Sequence, residues 1–176
     1  MQFKIVFVIL FFVSSSTFAA KAKDARTSDG AQNYVQGQIQ IITKSKDWDV
    51  ILPALKNLRN TIDQSTKDLS AEGDKLYQTL SELKSSQASE QDIQKAQDAY
   101  LKSDNAFNSW SSYKIAFKKI FTVFIDKDTT VTDCSNLNDK IKLFYLGNST
   151  KPESTFPAQI RQALELSNHL CKINPK

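Results

Sequence analysis

The chain contains one histidine, His169, and two cysteines, Cys134 and Cys171; with 19 acidic side chains these are its means for acid–base, nucleophilic or metal chemistry. A lone imidazole acts as a general base only with a nucleophile beside it and a third group to orient it. The sequence has no Gly-x-Ser-x-Gly, no His-Glu-x-x-His and no glycine-rich phosphate loop to assemble such a set. His169 therefore reads as a surface residue near a helix C-terminus, where a cation is favourable. Asp47 and Asp49 are close enough to share acid–base work. They stand, however, at the head of a long apolar repeat, where acidic residues commonly start a helix. The expectation is a chain without catalytic residues, metal or cofactor.

The cysteines take their meaning from the N-terminus. Lys4 supplies a positive charge, Ile5 to Val13 form an unbroken apolar run, Ser14 to Thr17 are small and polar, and Phe18-Ala19-Ala20 follow. That order predicts a secretory signal peptide over residues 1–19, with Thr17 and Ala19 at −3 and −1 of the cleavage site. The run is too short for a bilayer core of about 30 Å, and no later segment is long and apolar enough to stop transfer. The predicted product is one secreted, extracellular domain over 20–176. In an oxidising compartment, two cysteines predict one disulfide, Cys134–Cys171. Asn148-Ser149-Thr150 is the single glycosylation sequon, which predicts an exposed loop there and a glycoprotein in a host that glycosylates.

The elements that must hold these residues are helical. Gly and Pro number 4 each, too few for the many turns of a sandwich or barrel. From Ala31 to Lys46, Tyr34, Gln38, Ile41 and Ile42 predict a modest amphipathic helix, weakened by Gly30 and Gly37. Trp48, Leu55, Ile62, Leu69, Leu76 and Leu83 then recur at sevens, the mark of a long helix along one partner seam. Ile51, Leu52, Leu58 and Leu80 fill the partner position at the two ends, while Ser65-Thr66 and Glu72-Gly73 leave its middle thin. This helix is predicted to start between Asp49 and Leu52, putting Pro53 in its first turn, and to break or kink at Gly73. Ser85 to Ser89 predicts a turn, with Ser89-x-x-Asp92 resembling a capping box. A third helix follows from Glu90 to Asp126.

The third helix is sparse first, with Ile93, Ala96 and Tyr100, and rich later, with Phe107, Trp110, Tyr113, Phe117, Ile120, Phe121 and Phe124. At 100° per residue those seven share one side, opposite Ser111, Lys114, Lys118, Lys119 and Thr122. The leading reading of the stripe is packed core. It also fits a lining for an apolar ligand between helices, and the lysines opposite fit a membrane-surface helix. Two shorter helices close the chain. One runs from Asp133 to Leu146, with Cys134, Leu137, Ile141 and Phe144 on a face. The other runs from Thr155 to before Pro175, with Ile160, Ala163, Leu164, Ser167 and Cys171 on a face. An antiparallel hairpin of these two brings the cysteines together.

The predicted fold is an all-α elongated antiparallel bundle of about five helices, with a long central hairpin and a disulfide-linked C-terminal hairpin. The thin seam from Thr66 to Thr79, facing Ile93 to Tyr100, predicts a two-helix arm whose tip, with Tyr77, Leu80 and Leu83, presents a binding face. Removing Lys4 leaves 22 basic against 19 acidic side chains. They are interspersed, as on a solvated helical surface, so neither nucleic acid nor membrane is expected as a partner. Two function classes remain: a secreted, non-catalytic protein that binds a protein partner through helix surfaces, and an extracellular carrier of an apolar or lipid ligand. A packed interior with an exposed apolar patch favours the first; a hollow interior favours the second.

Overall fold

The computed structural model describes residues 27–127, 134–146 and 155–173, without the side chains of 144–146. The predicted signal peptide, the sequon at Asn148 and the Phe144 side chain lie outside the described residues. Five helices follow one another: α1 Ser28–Thr43, α2 Trp48–Ser85, α3 Glu90–Phe124, α4 Cys134–Leu146 and α5 Ala158–Ile173. No strand occurs among the described residues.

Local chemistry sets the helix ends. Thr27 caps α1, accepting from the Gly30 amide at 3.0 Å, so α1 starts three residues earlier than its apolar pattern indicates. Asp47 caps α2 through the Asp49 amide at 2.9 Å, and Asp49 sits in the first turn, where negative charge suits the helix dipole. With α2 starting at Trp48, Pro53 lies in its second turn, which leaves the Asp49 carbonyl without its i+4 amide. The helix runs uninterrupted through Gly73, so the predicted break there does not occur. At the far end Gln87 takes a left-handed conformation (φ 56°), and the Ala88 amide reaches back to the Leu83 carbonyl at 3.1 Å, a Schellman closure. Ser89 then caps α3, accepting from the Asp92 amide and donating to the Asp92 carboxylate at 2.6 Å.

This turn makes α2 and α3 antiparallel. Asp63–Lys114 at 2.9 Å and Tyr77–Tyr100 at 5.8 Å between ring centroids are symmetric about it, and Trp48 at the start of α2 stacks on Phe124 at the end of α3, 5.9 Å apart. Contacts between α2 and α3 are the most extensive in the molecule. Helix α1 lies against α2, α3 and α5, and α5 against α1, α3 and α4. Helices α4 and α5 form the second antiparallel hairpin. Its register is fixed by the Cys134–Cys171 disulfide, with Cα atoms 5.8 Å apart, and one turn on by Asn138 Nδ2 donating to Asn168 Oδ1 at 2.7 Å.

One continuous core joins α1 through Ala31, Val35, Ile39 and Ile42, α2 from Ile51 to Leu69, α3 from Ala106 to Phe124, and the C-terminal hairpin. In α1 this stripe shares only Ile42 with the predicted one: Ile41 is 53% exposed, and Tyr34 and Gln38 are half-buried. Several near-equivalent faces of α1 carry apolar residues, and docking against three helices selects the one that fits. In α5, Ile160, Ala163, Leu164, Ser167 and Cys171 are buried as expected, joined by Gln162, Leu166 and Leu170. A helix covered by three neighbours buries a wider face than one amphipathic stripe.

Candidate functional site

The aromatic stripe of α3 is packed interior. Trp110, Tyr113, Phe117 and Ile120 are fully buried, Phe121 and Phe124 nearly so, and Phe107 at the outer end is half-buried. Ring centroids follow one another at 6.0 Å (Tyr34–Trp110), 6.3 Å (Trp110–Tyr113), 6.0 Å (Tyr113–Phe117) and 5.9 Å (Phe117–Phe121), the spacing of favourable tilted and edge contacts. Their Cβ positions are set by α3, and their faces are filled by α1, α2 and α5.

One polar thread crosses this interior. The Tyr113 hydroxyl donates to Gln162 Oε1 at 2.7 Å, and Gln162 Nε2 donates to Gln36 Oε1 at 2.6 Å. Helices α3, α5 and α1 are thereby tied in register. Burial pushes the Tyr113 phenol well above the ordinary tyrosine value, so it stays a neutral donor. Neither glutamine nor the thread is legible in an apolar pattern, because a partner 49 residues away satisfies the tyrosine.

The other candidate groups serve the fold. His169 is half-buried, and its Nε2 donates to the Ser45 carbonyl at 3.0 Å. It tethers α5 to the α1–α2 turn, where a surface residue was expected. Asp47 and Asp49 form the start of α2. Asp63 pairs with Lys114 at 2.9 Å and Arg59 with Asp126 at 2.8 Å, both across the α2–α3 seam. Among the described residues no three acidic, histidine or cysteine side chains gather as metal ligands, and no helix is long and apolar enough to cross a membrane.

The arm is the part of the molecule the core does not explain. Beyond Leu69 on α2 and before Ser103 on α3, Leu80 is the one buried side chain, and it lies apart from the continuous core. Sixteen further residues of α2 extend about 24 Å past Leu69 at 1.5 Å each. Tyr77 is 61% exposed and Leu101 46%. Of the three residues predicted at the tip face, Tyr77 is exposed, Leu83 is half-buried and Leu80 turns into the seam.

Two open clefts border this region. The larger, about 730 Å³, runs along α2 from Asn60 to Glu72 with Trp110 as its one side chain from α3. Its polar groups are largely engaged: Thr61 meets the Tyr34 hydroxyl at 3.0 Å, Asp63 pairs with Lys114, and Asp68 accepts from Gln64 at 2.7 Å. The smaller, about 340 Å³, lies between the helices of the arm, with Leu69, Ser70, Gly73, Asp74 and Tyr77 on one side and Tyr100, Asp104 and Phe107 on the other. Comparison with protein-family models, with characterised proteins and with solved structures finds no match to this chain.

Proposed function

We propose that this chain is a secreted, non-catalytic helical protein that binds a protein partner through the surface of its arm. The observation that carries the reading is the arm itself. The continuous core ends at Leu69, yet both of the longest helices continue as a hairpin that exposes Tyr77 and Leu101. Such length adds little buried apolar area to the fold, so its surface is free for a partner, with Tyr77 and Leu101 as exposed apolar groups on it. The stripe from Tyr113 to Phe124 argues in the same direction, since it is buried and lines neither cleft, whereas a carrier of an apolar ligand would leave space against it. The signal-like N-terminus and the disulfide both fit an extracellular site of action.

The test is native mass spectrometry of the protein recovered from culture medium together with whatever remains bound. The expected result is a stoichiometric protein partner, lost on Lys84→Glu and on Leu101→Glu, two exposed arm positions outside the smaller cleft. A lipid or other apolar molecule in its place, lost on Ala116→Phe, would establish the carrier reading instead. A protein partner that survives both arm substitutions would refute the arm as the binding surface.

A further inference from the structure

The smaller cleft is where aromatic, acidic and empty positions on the arm coincide. Gly73 forms its floor, one turn from both Leu69 and Tyr77. Nothing inside the protein requires a glycine there: it sits in regular helix, and a Cβ built on it meets nothing within 4 Å. Its effect is to leave the cleft open. The walls are the Tyr77 and Tyr100 rings, 5.8 Å apart and tilted by 55°, with Phe107 two turns further toward the core. Partly exposed aromatic faces of this kind attract cations through the ring quadrupole. Asp74 has no partner among the described residues. Asp104 receives one bond, from Asn108 Nδ2 to Oδ2 at 3.1 Å, which leaves its other oxygen available. The surroundings carry the same sign: residues 67–104 hold eight acids against five lysines, in a chain whose net charge is +4.

We propose that this cleft is the socket for a basic side chain, an arginine or lysine projecting from the protein partner. The proposal rests on the arm being the binding surface and specifies what that surface recognises. A volume of about 340 Å³ holds one long side chain and its immediate neighbours, at the small end of ligand sites. The alkyl stem lies along the tyrosine rings while the charged head reaches Asp74 and Asp104. The larger cleft has no such match, because Asp63 and Asp68 are already bonded to this chain's own Lys114 and Gln64, and Glu72 is engaged as well.

The test uses the whole secreted chain, labelled with 15N, and a capped helical peptide bearing one central arginine, with versions carrying Lys, Gln or Glu at that position. The Arg and Lys peptides should shift the amide resonances of Gly73, Asp74, Tyr100 and Asp104 saturably. The Gln peptide should bind about tenfold more weakly, the sum of a surface cation–π contact and an exposed ion pair. The Glu peptide should give no shifts, and affinity for the Arg peptide should fall as salt is raised. Gly73→Leu fills the cleft from a position with open space, so it should fold normally by circular dichroism and abolish the shifts. Equal binding of the Arg and Gln peptides, shifts centred elsewhere, unchanged binding by a folded Gly73→Leu variant, or no shifts at all would each overturn the proposal. A partner lost on Leu101→Glu but retained on Gly73→Leu would keep the arm as the binding surface and discard the socket.

Discussion

Replacing Phe117 by alanine tests the division of the molecule into core and arm. Phe117 has no exposed surface and lies between Tyr113 and Phe121 at 6.0 and 5.9 Å, so its truncation removes a full aromatic transfer term and leaves a cavity the surrounding helices cannot close. Such losses are about 3–5 kcal/mol. At roughly 2–4 °C per kcal/mol for a domain of this size, a cost of about 4 kcal/mol lowers Tm on the order of 8–16 °C. Leu76 is half-buried in the arm, beyond the end of the continuous core. Its truncation removes a fraction of a leucine's burial, about 1 kcal/mol, equivalent to a Tm shift of roughly 2–4 °C. Thermal melts by far-ultraviolet circular dichroism, backed by urea titrations with the disulfide intact, measure both variants on one scale. Equal losses at the two positions would refute the reasoning, because the bundle would then be packed uniformly along its length.

Four further outcomes follow from the structure. Peptide mapping without reduction should recover Cys134 linked to Cys171, and replacing both by serine should cost about 3–4 kcal/mol for a loop of this separation; free thiols on the folded protein would contradict the C-terminal hairpin. Tyr113→Phe leaves Gln162 Oε1 without its donor and should cost about 1–3 kcal/mol at neutral pH. Because the folded phenol holds its proton above the ordinary value of about 10 while the unfolded one releases it, wild-type stability should fall as pH rises past that value. Tyr113→Phe should flatten this fall, as read by urea titration at successive pH values. Ser167 is fully buried in mid-helix, and its hydroxyl has no partner among the described residues, so Ser167→Ala should raise stability by about 1 kcal/mol in the same titration; a loss would mean that the hydroxyl is satisfied. His169→Ala removes one hydrogen bond to the α1–α2 turn and should cost about 0.5–1.5 kcal/mol without weakening partner binding; loss of a catalytic turnover in the folded variant would make the chain an enzyme.

The sequence by itself determined the helices, their order and the pairing of the cysteines. Those features rest on local periodicity and on a scarcity of turn residues, and both act before any tertiary contact forms. The seven-residue repeat from Trp48 to Leu83 gave α2 nearly its full length, the cap at Ser89 marked the start of α3, and the density from Phe107 to Phe124 marked where the core lies. The end of the arm was legible in the same way, because a seam broken by Thr66, Glu72 and Gly73 cannot bury much.

Tertiary structure alone decided which of several similar faces is buried and which polar groups meet. In α1 the choice of Ala31, Val35, Ile39 and Ile42 over Ile41 depends on the fit against three neighbours. Burial of Phe156, just ahead of α5, carries no periodic signal, since it precedes the helix that would reveal it. Gly73 reads locally as a break, because glycine weakens an isolated helix. Packing against α3 on both sides of it keeps α2 continuous, and the missing side chain becomes an open cleft. The Tyr113–Gln162–Gln36 thread, the His169 tether and the juxtaposition of Tyr77 with Tyr100 join residues far apart in sequence. Hydrogen bonds and ring contacts act over a few ångströms of space, so they exist for the chain only once the helices have been brought together.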